Sequence, residues 1–147
     1  MNTPTGLGSA GSRLGIQSDW MILEIGHDQD CDEDLRNEIS LACGNQLLEN
    51  GTDEVVDAVL LWWREDDGDL VDQLVDALTY LTEHGPIWLL TPKAGRAGYV
   101  EASDIQDAAP TAGLSVTSTT PIAKDWIATR ISARPANKGS VKVSKKK

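Results

Sequence analysis

The sequence predicts an α/β domain: a three-layer sandwich whose mostly parallel sheet ends in an antiparallel hairpin. Three observations predict it. Short apolar runs with strand character alternate with segments whose apolar residues recur every three or four positions. Glycines, prolines and carboxylates mark the changeovers. The last two apolar runs are joined by a link too short for a crossover helix, so they pair antiparallel. Strand, helix, strand, helix, strand in series gives a parallel sheet covered on both faces, and right-handed crossovers fix its local topology.

The elements follow in order. Trp20 to Ile25 is apolar and partly β-branched, and Gly26 ends it, which predicts a buried strand. A helix follows, capped by Asp32, with Glu33 and Asp34 in its first turn. Leu35, Ile39 and Cys43 share one face at a spacing of four, and Gly44 stops it. Residues 46–49 make a short strand. Asp57 to Trp63 is the clearest buried strand, and alternation sends Trp62 and Trp63 to opposite faces. Asp69 starts a helix over 69–82 that buries Leu70, Leu74, Leu78 and Leu81, with Gly85-Pro86 as its stop. Ile87 to Leu90 is the next strand, Ser103 to Ala109 a short helix, and residues 114–120 and 126–133 the hairpin. A mostly parallel sheet closed by such a hairpin has the outline of the small Rossmann-like, methyltransferase-like folds, an analogy of fold alone.

Length and composition agree. The chain has 147 residues, 40% hydrophobic and 24% charged, enough for one packed core. Residues 1–12 read as a flexible leader, 13–134 as the single α/β domain, and 135–147 as a disordered basic tail. The longest apolar run, Ala58 to Trp63, is far below the roughly 20 residues that span a bilayer. With no signal-peptide pattern in residues 1–12, the expected location is the cytoplasm. The net charge is −10, but unevenly spread. Glu24 to Asp76 holds 17 acids and two bases, Arg36 and Arg64, whereas Arg130 to Lys147 holds seven bases and no acid. Nucleic-acid binding is therefore disfavoured for the domain and left open for the tail.

The motifs mostly exclude. Gly6, Gly8 and Gly11 spell G-x-G-x-x-G, but no strand precedes them, as a dinucleotide site requires. The turn after the first strand, Gly26 to Asp34, has one glycine and five aspartates and glutamates, which repel phosphate. Asp28, Asp30 and Asp32 alternate as in a calcium loop, yet Glu33 and Ile39 stand where the EF-hand needs Gly and Glu. A looser cation site from His27, Asp28, Asp30 and Asp32 stays open beside the plainer reading of an acid-capped helix start. Cys31 and Cys43 flank a helix that separates them by roughly 18 Å, whereas a disulfide needs about 7 Å. Two free thiols fit a reducing compartment. The remaining cluster is basic. Lys93 and Arg96 leave a strand at the end where open α/β sheets bind ligands. Lys124 precedes the last strand, which carries Trp126 and Arg130 on one face. Together these five form a candidate ligand site, arginine or lysine holding an anion and tryptophan stacking on it. The plainer alternative has Trp126 in the core and Arg130 paired with the acidic body.

The stretches LGIQ (14–17), DEDLR (32–36), DAVLLWWREDDGDLVDQLVDAL (57–78), WLLTPKAGRAGYVEASDIQDAAPTAGL (88–114) and KDWIATR (124–130) resemble the small actinobacterial proteins grouped as domain of unknown function 3052. The resemblance covers nearly all of residues 13–134. It implies a compact cytoplasmic α/β domain and brings no catalytic residues with it. The sequence therefore points to a non-catalytic Rossmann-like module without a cofactor, binding a protein or a small ligand. An enzyme or sensor taking an anionic metabolite or S-adenosylmethionine in the strand-end crevice is the alternative, and nucleic-acid contact through the tail a third.

Overall fold

A computed structural model of the chain describes residues 14–49, 54–82 and 85–133. The leader, 1–12, and the basic tail, 135–147, lie outside the described residues. Six strands form one sheet: β1 (Ile22–Ile25), β2 (Leu48–Glu49), β3 (Ala58–Trp62), β4 (Ile87–Pro92), β5 (Leu114–Pro121) and β6 (Trp126–Ala133). The helices α1 (Glu33–Cys43), α2 (Leu70–Leu78) and α3 (Ala102–Thr111) accompany them. The strand order is β2-β1-β3-β4-β6-β5. Strands β2, β1, β3 and β4 run parallel, and β6 is antiparallel to both β4 and β5. The expected mostly parallel sheet with a terminal hairpin is present.

Both faces are covered. Leu35, Ile39 and Cys43 of α1 pack with Ile22, Leu60, Trp62, Trp88 and Trp126 on one face. Leu74 and Ala77 of α2 and Ile105, Ala108 and Ala109 of α3 pack with Leu23, Leu61, Trp63 and Leu89 on the other. Trp62 and Trp63 thus enter opposite layers, and both are buried. All residues of β1, β3 and β4 are buried, as befits strands covered on both faces; their sequences are apolar apart from Glu24 of β1 and Thr91 of β4.

The helix ends obey local chemistry. The Asp32 carboxylate accepts the Leu35 N–H at 2.9 Å at the start of α1, and Gly44, at φ +78°, closes it. The second helix is shorter than periodicity predicts. It ends at Leu78 and not at residue 82, because Tyr80 and Thr82 hydrogen-bond to Val56 in a parallel bridge alongside the sheet. Ala77 takes the buried place beside Leu74, while Leu70, Leu78 and Leu81 are half-buried. Helix α3 runs longer than predicted, with Pro110 in its last turn.

Chain reversal sets where a crevice opens. From β1 the chain moves outward to β2; it returns past β1 to β3 and moves the other way to β4. The reversal point lies between the carboxyl ends of β1 and β3, where open α/β sheets present a crevice.

Candidate functional site

A crevice of about 270 Å³ opens at that point. Ile25, Gly26, Asp28, Trp63, Arg64 and Asp67 are among its walls. Gly26, at φ +85°, starts the turn after β1, and a Cβ there would meet the Trp62 carbonyl oxygen at 2.3 Å. Only glycine permits this close approach of the two strand ends.

Arg64, the second residue past β3, crosses the crevice. Its guanidinium donates to both Asp30 carboxylate oxygens at 2.5 and 3.0 Å, to the Gly26 carbonyl at 2.8 Å and to Asp67 at 3.4 Å. It also stands 5.4 Å from the ring centre of Trp126, a cation–π distance. Gly98 of the loop after β4 packs on the Arg64 stem: its own Cβ would fall 3.0 Å from Arg64 Cβ and Cγ. The Arg64 hydrogen bond holds the Asp30 carboxyl below the ordinary carboxylate range. Burial alone would lower the Arg64 pKa, yet Asp30 raises it, so the pair is charged at neutral pH.

A second ion pair lies behind the first. Glu24 of β1 is buried, and its carboxylate accepts two hydrogen bonds from Arg36 of α1, at 2.5 and 2.7 Å, and one from Trp62 Nε1 at 2.9 Å. Trp62 meets Trp126 edge-on, with ring centres 4.8 Å apart. The Trp126 Nε1–H donates to the Asp30 carbonyl at 3.3 Å, leading back to the crevice. Burial pushes the Cys31 thiol up to about 11, so it is protonated at neutral pH. Cys31 and Cys43 are both free and buried.

The basic residues singled out by sequence are only partly brought together. Lys93, Arg96, Lys124 and Trp126 lie at the carboxyl end of β4. Lys93 is half-buried, and its backbone N–H donates to the Asp125 carbonyl. Arg96 Nη2 is 2.6 Å from Asp125 Oδ1, so a carboxylate already faces it. Lys124 is exposed. Trp126 is no open stacking wall: 3% exposed, it is core, with Arg64 over its ring. Arg130 shares its face but sits opposite Trp88 at the other end of the ladder, donating to Thr117 Oγ1 at 3.3 Å. Among the described residues it belongs neither to this cluster nor to an ion pair with the acidic body.

The acidic turn is built into the fold. Asp30 pairs with Arg64, Asp32 caps α1, Asp28 accepts the Gln29 N–H, and His27 Nε2 lies 2.8 Å from Glu33. His27 and then Arg36 lower the Glu33 pKa. Among the described residues, no group of three or more His, Cys, Asp or Glu is placed to hold a metal ion. Sequence reasoning passed over Arg64, Arg36 and Glu24. The signal was present: Arg36 and Arg64 are the two bases in a stretch of 17 acids.

Comparison with known proteins gives a family and a fold. The family described as Protein of unknown function (DUF3052) matches residues 11–135. Uncharacterized protein Rv2239c of Mycobacterium tuberculosis is 53% identical over 119 residues, 81% of this chain and 75% of that protein. Uncharacterized protein Mb2263c of Mycobacterium bovis matches to the same extent. Among solved structures, the pyocyanin biosynthetic protein PhzM superposes with a TM-score of 0.63 at 11% identity, over 87% of this chain and 54% of PhzM. The O-methyltransferase NcsB1, in complex with S-adenosylmethionine, gives 0.61 at 13%, over 88% and 55%. The chain thus spans about half the length of these two. A SAM-dependent methyltransferase from Aquifex aeolicus gives 0.56 at 10%, over 90% of this chain and 94% of that one. At these identities the likeness is one of fold. Among the described residues, no helix is long and apolar enough to cross a membrane.

Proposed function

The chain belongs to the DUF3052 family, and from that premise we propose that it is a binding domain and not a catalyst, a regulatory module that takes a protein or small ligand on its strand-end face. One observation supports this reading above others. Arg64, where a doubly wound sheet presents its ligand, is engaged by Asp30, Asp67, the Gly26 carbonyl and the Trp126 ring. The turn that would open to admit a cofactor is folded back against it. The nearest thiol is protonated, and the nearest imidazole is held by Glu33. With Asp28 and Asp67 on its walls, the crevice favours a neutral or cationic ligand over a phosphate.

S-adenosylmethionine is the second reading. Its support is the fold likeness to proteins that act with it, and its sulfonium suits an acidic wall. The anionic-metabolite variant loses support, because Asp125 already answers Arg96.

The test is calorimetric titration of the full chain with S-adenosylmethionine, S-adenosylhomocysteine and adenosine, with citrate as the anionic control. Mass spectrometry then follows the incubated mixtures, with and without a panel of hydroxyl and amine acceptors. The binding-domain reading expects any S-adenosylmethionine to be recovered unchanged. S-adenosylhomocysteine accumulating in proportion to protein, above a protein-free control, would falsify it. Absence of heat from S-adenosylmethionine and S-adenosylhomocysteine rejects the second reading. A bound ligand at 100 times its Kd adds about 2.7 kcal/mol to stability, which a thermal shift reads independently.

A further inference from the structure

A second cavity lies under the start of α3, on the sheet face opposite α1, and shares no residue with the crevice. Its floor is the stretch where β4, β6 and β5 lie side by side. Val100, Ile105 and Ile127 form apolar walls, and Gln106 stands at the rim. None of its lining side chains is charged. It encloses about 70 Å³, roughly twice the share of one water molecule in the liquid.

Its base is unusual for a core. Along this face, β4 presents Ile87, Leu89 and then Thr91, and β6 presents Ile131, Thr129 and Ile127. Thr91 is opposite Ile127 and Thr129 opposite Leu89, so the threonines are diagonal neighbours. Each is 2% exposed. Neither hydroxyl has a hydrogen-bond partner among the described residues. Threonine has the shape of valine with one methyl replaced by a hydroxyl, so each of the two adds a donor and an acceptor to an otherwise apolar wall. Both line the cavity, so their unused hydrogen-bonding capacity faces whatever enters it.

We propose that this cavity is a binding site for a small uncharged ligand, or the uncharged end of a larger one, with an apolar body and one hydroxyl, carbonyl or amide group. Thr91 and Thr129 supply the polar contact, since a hydroxyl both donates and accepts. Val100, Ile105 and Ile127 cover the apolar part. Ions are excluded, because no opposite charge in the lining offsets their desolvation. The site is independent of the reading offered for the crevice.

The test is a set of amide NMR titrations of the full chain with benzyl alcohol, benzamide, benzoate and benzylamine. The two neutral probes are expected to give saturable shifts at Thr91, Val100, Ile105 and Thr129, leaving Gly26 and Arg64 unmoved. The two charged probes are expected to leave those residues unshifted. The double variant Thr91→Val, Thr129→Val keeps the shape and is expected to weaken benzyl alcohol about tenfold without lowering Tm. Val116→Trp, which fills the cavity from its β5 side, is expected to abolish the shifts and serves if the double variant fails to fold. Equal binding of benzoate, undiminished affinity in the valine variant, or no saturable shift with either neutral probe overturns the proposal. Shifts centred on Gly26 and Arg64 would overturn it too, while leaving the crevice reading intact.

Discussion

Arg64 shows how one side chain serves both packing and charge. Its side chain is 14% exposed, while that of Asp30 is 52% exposed. Desolvation therefore falls mainly on the arginine, and solvent screens the pair from the Asp30 side. The linkage has a definite sign. Asp30 has its pKa lowered in the folded state by Arg64, so the stability it contributes is present above its unfolded value and lost as pH falls through the folded one. Asp30→Asn is thus expected to be less stable than wild type at pH 7, with the gap narrowing as pH falls below about 4, the unfolded value, and closing only below the lowered folded value. Urea melts of both proteins at pH 7, 4 and 2 check this, and a gap undiminished at pH 2 refutes the pairing. Arg64→Ala is expected to cost about 2 kcal/mol at pH 7, because the cation–π contact and the bond to Gly26 go as well. Little of this was legible beforehand. The pairing joins residues 34 apart in sequence, and no local pattern sets such a distance.

At the scale of elements, the glycine turns divide by what surrounds them. Gly26 and Gly44 both have positive φ, +85° and +78°. A Cβ on Gly44 meets nothing within 4 Å, whereas one on Gly26 collides with backbone 2.3 Å away. Gly44→Ala is expected to cost about 1 kcal/mol, the conformational penalty alone. Gly26→Ala is expected to cost at least about 3 kcal/mol or prevent folding, since β1 and β3 must separate. Chemical denaturation of both variants decides; equal costs would mean the strand ends are not in close contact. Capping residues made the bounds of α1 readable from Asp32 and Gly44, because those interactions reach only three or four residues. The end of α2 was not readable, because the bridge between Val56 and Leu81 competes with the helix from 25 positions away.

Over the whole molecule, each hydrophobic layer is stitched from distant parts of the chain. One joins Leu23 to Ile131, the other Leu14 to Ala128. Neither the parallel half nor the hairpin keeps a complete core alone. Near- and far-ultraviolet circular dichroism are therefore expected to give coincident urea transitions, and separated midpoints would contradict a single cooperative unit. The sequence by itself determined the fold class, the order of elements, the opposite faces of Trp62 and Trp63, and the unpaired state of both cysteines. Those follow from period, capping and reach, which act within a few residues. Tertiary structure alone decided which charges meet. Sheet order brought Arg64 to Asp30 and Arg36 to Glu24, drew Trp126 into the core, and left Arg130 at the far end of its strand. Hydrophobic pattern fixes which side of a strand faces inward, but only the packed sheet fixes the neighbour that a buried charge must find.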